Sequence, residues 1–230
     1  MCGRFVMVSD LSDIVEEFAI EKISATVEKS FNIAPGANVA AVIRDGVTRL
    51  VSLQWGLIPS WTRDGAGRKG LINARAETVT SKPSFRDAFR DRRCLIIADG
   101  YYEWKGGEKG RAKTPFYIYL KSRKPFGFAG IYEQWLPPGG KQVLSCAIIT
   151  TEPNELVSPI HKRMPVIIPR EQHRLWLDPA LSGGAVLCDL MRPIPAGDMV
   201  AYPVSTKVNF PTIDTPDCIK PVGDHGPVRI

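Results

Sequence analysis

No stretch of the 230-residue chain approaches the roughly 18 consecutive apolar residues of a membrane-spanning helix, and nothing ahead of Cys2 reads as a signal peptide. Disulfide and zinc signatures are missing as well. The five cysteines (Cys2, Cys94, Cys146, Cys188, Cys218) are widely separated, odd in number and never in a C-x-x-C pair, which argues for a reducing compartment. Three histidines, none in an H-E-x-x-H pattern, leave little room for a catalytic metal. Serine-hydrolase elbows, Walker loops and G-x-G-x-x-G fingerprints are absent. No repeat, low-complexity segment or long linker interrupts the chain. These absences predict a cytoplasmic protein that uses no metal, no cofactor and no membrane.

What is present fits one domain. A hydrophobic fraction of 44% and a charged fraction of 23% describe an ordinary globular chain with enough surface to bury a core. The spacing of Leu11, Ile14, Val15 and Phe18 predicts an amphipathic helix over Ser9–Ile20, capped by Ser9 or Ser12. Asp45-Gly46 between two apolar runs predicts a hairpin with a type I′ turn. Strands are expected at Leu71–Glu77, Arg93–Ala98, Phe116–Leu120, Phe126–Trp135, Val143–Thr151, Val166–Ile168 and Val200–Ser205. Short helices are expected at Ser84–Arg90, with a capping-box-like Ser84 and Asp87, at Arg170–Leu177 and at about Gly184–Met191. Many strands, irregularly interspersed helices and few βαβ units point to a single α+β domain over residues 1–230, its core at about 2–222 and a short C-terminal tail. The net charge of +6 is concentrated: Lys82–Lys124 holds 12 Lys and Arg against 5 Asp and Glu. A polyanionic partner or a solvated basic face would each explain that.

Cys2 is the unusual nucleophile. Loss of Met1, which a residue as small as cysteine permits, would leave a thiol and a free α-amine on adjacent carbons. An α-amine with a pKa near 8 is about 10% unprotonated at pH 7, against roughly 0.04% for an ordinary lysine. A neutral amine condenses with an aldehyde to a Schiff base, and a thiol beside it can close a five-membered thiazolidine with the advantage of an intramolecular step. The ordinary alternative is a buried, inert structural cysteine.

Asn73, Asp99, Glu103 and His161 lie at ends of apolar strands, where side chains can converge on a pocket. Each also has an ordinary explanation: Asn73 as a turn cap, Asp99-Gly100 as a turn, Glu103 as a partner of the many lysines, His161 as a loop histidine. The segments Cys2-Gly3-Arg4-Phe5, Asn32-Ile33-Ala34-Pro35-Gly36, Trp55-Gly56-Leu57-Ile58-Pro59 and Ile72-Asn73-Ala74-Arg75-Ala76-Glu77 resemble successive signatures of one family. So do Ala98-Asp99-Gly100-Tyr101-Tyr102-Glu103-Trp104, His161-Lys162-Arg163-Met164-Pro165 and Tyr202-Pro203-Val204-Ser205. That family is the SOS-response-associated peptidase (SRAP) family of abasic-site-processing proteins, and the resemblance covers nearly the whole chain in order.

The resemblance implies a mixed, mainly antiparallel sheet curled into a barrel-like core with flanking helices. It implies a monomer that traps the aldehyde of an abasic site in single-stranded DNA, with Cys2 forming the Schiff base and then the thiazolidine crosslink. Asn73 would position the N-terminus, Glu103 act as general acid/base and His161 assist proton transfer. Weak lyase activity and an autopeptidase that exposes Cys2 are implied as well, as is a nucleoid-associated place in the cytoplasm. Arg4, Arg75 and Arg163 would hold phosphates without reading sequence, and Trp61 is a candidate to stack on a splayed base. Two other functions compete: an N-terminal-cysteine amidohydrolase, and a non-covalent single-strand DNA-binding protein in which Cys2 is incidental.

Overall fold

A computed structural model of the chain describes residues 2–62, 70–106, 112–182 and 184–223. From the N-terminus, β1 (Phe5–Met7), α1 (Leu11–Phe18), β2 (Lys22–Ile23) and β3 (Ser30–Ile33) lead to the hairpin of β4 (Asn38–Asp45) and β5 (Val47–Trp55). The chain continues through β6 (Asn73–Arg75), α2 (Arg86–Asp91), β7 (Arg93–Ala98) and β8 (Gly100–Lys105). Three longer strands follow, β9 (Thr114–Leu120), β10 (Phe126–Trp135) and β11 (Val143–Thr151), and then the two-residue β12 (Met164–Pro165) and β13 (Ile167–Ile168). The short helices α3 (His173–Trp176) and α4 (Ala185–Asp189) precede the last strand, β14 (Met199–Pro203).

Five strands close a barrel. β11, β10, β7, β4 and β5 follow one another as antiparallel neighbours, and β5 returns to β11 through a parallel contact at Ser145↔Gln54 and Cys146↔Trp55. Closure removes the exposed edges that an open sheet would present. Every residue of β7 is buried, which explains why it reads as a continuous apolar run instead of an alternating one. A second, antiparallel sheet in the order β14-β9-β8-β1-β3 lies against it. Asp99 alone separates β7 in the barrel from β8 in this second sheet. Alternation along the strands sends Phe5 and Tyr101 into the main core, while Val6 and Tyr102 join a smaller cluster with Tyr117, Tyr119 and Tyr202 on the other face. The mixed α+β architecture and the barrel agree with the expectation.

Several local expectations need correction. The first helix begins at Leu11 behind Asp10, and Ser9 does not cap it; the Ser9 amide and hydroxyl both bond the Asp99 carboxylate instead. Ser84 makes no capping box, because α2 starts behind Phe85 with no side-chain cap. The β4–β5 hairpin forms, but only Gly46 takes a positive φ (88°), so the turn is not type I′, which needs two such residues. The expected Leu71–Glu77 strand shrinks to β6, which pairs in parallel with β11. Leu71 instead bridges Leu57 and closes the base of the intervening loop, most of which (63–69) lies outside the described residues. There the backbones of Gly56 and Gly70 press together: a Cβ at Gly70 would sit 2.1 Å from the Gly56 oxygen. Part of the basic loop Lys105–Lys113 (residues 107–111) and of the tail (224–230) also lies outside the described residues.

Candidate active site around Cys2

The site assembles where the start of the chain runs between barrel and second sheet. Cys2 is fully buried just ahead of β1, whose Phe5 packs edge-on against Trp55 and Phe128. Asn73, at the start of β6, donates from Nδ2 to the Cys2 carbonyl at 2.9 Å. β6 can deliver it because β11 holds that strand in register, with Asn73 opposite Ile148. Glu103, on β8, is 2% exposed, and its Oε1 lies 3.9 Å from Nδ1 of His161. His161 sits in the turn ahead of β12. Its Nδ1 lies 3.1 Å from both the backbone nitrogen and the backbone oxygen of Arg163. The amide can donate to the neutral ring and the carbonyl can accept from the protonated one, so either protonation state finds a partner. The structure thus brings Cys2 and Asn73 into direct contact and sets Glu103 beside His161.

Electrostatics separate the roles of these groups. Burial pushes the Cys2 thiol well above its ordinary value, and the charge of Glu103 pushes it further. The sulfur is held neutral, 3.9 Å from the Arg4 carbonyl. Burial also raises the Glu103 carboxyl, with a protonated His161 pulling the other way. A carboxyl raised in the fold favours the native state fully below the unfolded carboxylate value of about 4.3 and loses that contribution as pH climbs through the folded value. Glu103→Gln should therefore melt higher than the wild type at pH 7–8, by a few degrees, since about 1 kcal/mol is worth roughly 2–4 °C in a chain of this size. The gap should close toward pH 4. Thermal unfolding at both pH values measures it.

The remaining expected residues are placed differently from one another. Asp99 is an anchor: its carboxylate holds the amides of Val8 and Ser9 and so fixes the chain between β1 and α1. Arg4 is half-buried, and its Nη1 donates at 2.8 Å to both the Asn32 side chain and the Val208 carbonyl. Asn32 in turn donates to Val208, Phe210 and Ile213, so this network ties the last part of the chain to the first strand. Arg163 forks onto the Glu77 carboxylate at 2.5 and 3.0 Å and reaches the Thr150 carbonyl. That fork holds the Glu77 carboxyl below its usual range. Arg75, at the end of β6, is exposed, and so is Trp61 (64%), beside Thr62, whose carbonyl accepts from the Trp135 indole.

His173 is a core histidine, stacked on Phe18 and pushed down to about 4 by burial. A hollow of about 630 Å³ between Phe126, Ile167, Pro169, His173 and Ile194 contains none of the four site residues. The sequence reading missed Glu77 as the partner of Arg163 and Asn32 as the anchor of Arg4. Both lie inside motifs that were legible, but a side-chain partner 28 or 86 residues away leaves no local signal.

Comparison with known proteins places this geometry. The model of the family described as SOS response associated peptidase (SRAP) matches residues 1–211. The abasic site processing protein YoqW of Bacillus subtilis is 45% identical over 223 residues, covering 96% of this chain and 99% of the relative. The abasic site processing protein HMCES of Gallus gallus is 34% identical over 197 residues, 75% of this chain and 57% of the relative. A crystal structure of a protein from Bacteroides thetaiotaomicron superposes with a TM-score of 0.86 at 28% identity, covering 96% of this chain and all of the other. No helix among the described residues is long and apolar enough to cross a membrane. With a family model matched from Met1 to Pro211 and near full-length relatives at 45% identity, the chain belongs to the SOS response associated peptidase family.

Proposed function

We propose that this chain processes abasic sites by capturing them covalently through Cys2, in single-stranded DNA and as a monomer. The observation that carries the reading is the direct bond from Asn73 to the Cys2 carbonyl, with the buried Glu103 beside the half-buried His161. The names of relatives matched over nearly the full chain support the substrate.

Met1 is first removed, by the chain's own hydrolytic activity or by another enzyme, which frees the α-amine. Asn73 then fixes the direction of that amine by holding the adjacent carbonyl. The neutral amine attacks the aldehyde carbon of the ring-opened sugar and a C–N bond forms. The aldehyde oxygen leaves as water carrying the two amine protons, one of them relayed through Glu103, which ends the step with the proton it began with. The Cys2 thiol next adds across the imine: an S–C bond forms and the thiol proton ends on nitrogen, giving a thiazolidine. Because burial keeps the thiol protonated, the amine acts first. Glu103, its carboxyl raised by burial, can give and retake a proton in this reaction, with His161 as its exchange partner. The imine also acidifies the neighbouring carbon of the sugar, which permits slow β-elimination and so a weak lyase activity.

Exposed Arg75 is free to meet a phosphate at once, whereas Arg163 would exchange Glu77 for one. The basic excess around Lys82–Lys124 would make binding salt-sensitive and blind to sequence. The test is direct. Protein verified by mass to lack Met1 is mixed with a single-stranded oligonucleotide carrying one abasic site, and the products are run on a denaturing gel. A heat-resistant shifted band is expected with the wild type and none with Cys2→Ala. A Met1-free wild type that gives no band removes the covalent mechanism and leaves non-covalent binding.

A further inference from the structure

Five tyrosines are buried in this fold, and four of them have a use for their hydroxyl. Tyr102 donates to the Phe31 carbonyl, Tyr117 to Asp99 and Tyr202 to Ile219, while Tyr119 accepts from Arg123. Tyr101 is the exception. It is 0% exposed, and its hydroxyl has no hydrogen-bond partner among the described residues. A buried hydroxyl without a partner is destabilising relative to the phenylalanine that would fill the same space, so its presence calls for a reason.

Its position supplies one. Tyr101 lies on β8 directly opposite Phe5, three residues after Cys2, and two residues before Glu103 on the same face of the strand. Its ring packs edge-on against Phe128 in the core cluster that also contains Cys2. A second atom at the site is in the same condition: Asn73 Oδ1 is buried and unpartnered although Nδ2 of the same side chain is engaged. One orphaned donor and one orphaned acceptor beside Cys2 and Glu103 describe a polar cradle whose contents arrive with the substrate.

We propose that the Tyr101 hydroxyl is a further hydrogen-bond donor of the reaction site, directed at the aldehyde oxygen of the bound sugar. This rests on the covalent capture proposed above. As the amine attacks, charge develops on that oxygen, and a fixed donor in a dry site stabilises it without reorganising. Burial, with the charge of Glu103 adding to it, holds the phenol well above its ordinary value, so it donates a hydrogen bond but keeps its proton. Proton delivery stays with Glu103.

Tyr101→Phe removes only the oxygen. In full-length, Met1-free protein its melting temperature should be unchanged or higher, and its affinity for an undamaged single strand unchanged. Its single-turnover crosslinking rate on an abasic oligonucleotide should fall about 10- to 100-fold at every pH. The midpoint of the pH–rate curve should stay where the wild type has it. A rate within twofold of the wild type would overturn the proposal, as would a clear drop in melting temperature, which would mean a structural partner. A displaced midpoint with an intact plateau would also overturn it, because the hydroxyl would then act through Glu103. A wild type that forms no crosslink removes the covalent reading itself, and the same gel separates that result from a failure confined to Tyr101.

Discussion

Cys2→Ser should form an imine with an abasic strand and yet lose the heat-stable crosslink by a factor of about 100 or more. Serine keeps the α-amine and nearly the same volume, but its hydroxyl is a far weaker nucleophile than a thiol. The first step is therefore retained and the ring closure is not. Borohydride added during the reaction should trap the imine of the variant as a permanent band. Without borohydride the variant should show free strand and a larger share of strand cleavage, since the imine is no longer diverted into the thiazolidine. The expectation follows from the proposed order of events, in which a thiol held neutral by burial waits for an electrophile made beside it. A heat-stable band formed by Cys2→Ser at the wild-type rate would mean that sulfur takes no part.

Arg93→Met should be the most destabilising single change away from the site. Arg93 is 6% exposed, and every N–H of its guanidinium is used on a backbone carbonyl. Nε donates to Trp176, Nη1 to Phe89 and Arg90, and Nη2 to Asp178 and Leu181, at 2.6–2.8 Å. The cation thereby closes the C-terminal ends of α2 and α3 together, where helix dipoles favour positive charge. Methionine fills much of the volume but leaves five carbonyls without their donor. A loss of about 3–5 kcal/mol is expected, or a melting temperature lower by roughly 10 °C. Thermal and urea unfolding measure it. A fall of less than about 3 °C would mean that water replaces the guanidinium at little cost.

Both predictions touch residues whose legibility in the sequence differed, and the reason is physical. β7, β10 and β11 were readable to the residue, because mostly buried barrel strands leave largely apolar runs bounded by polar or turn residues. Cys2, Asn73, Glu103 and His161 were readable as motif members, and the fold brings them to one place. Arg93 was read only as the start of a strand, because its five partners are backbone atoms of other elements and carry no side-chain signature. Tyr101 was hidden by its neighbours: in Tyr101-Tyr102 the two hydroxyls look alike, and only the alternation of β8 sends one to a carbonyl and leaves the other unpartnered in the core. The missing caps at Ser9 and Ser84 follow the same logic. Ser9 is taken by Asp99, 90 residues away, and no window of local sequence contains that competition.

The bond from Arg4 to Val208 spans 204 residues. A ribosome adding about 5–20 residues per second delivers Val208 some 10–40 s after Arg4 has been made. Until then the first strand lacks the network that ties it to the end of the chain. For a reaction that needs the α-amine of Cys2, this interval is when trimming enzymes reach the start of the chain most easily. The late arrival of Val208, Phe210 and Ile213 then completes that network. If another enzyme must remove Met1, faster elongation or scarce aminopeptidase would leave a larger share of molecules folded with Met1 in place and without a free Cys2 amine.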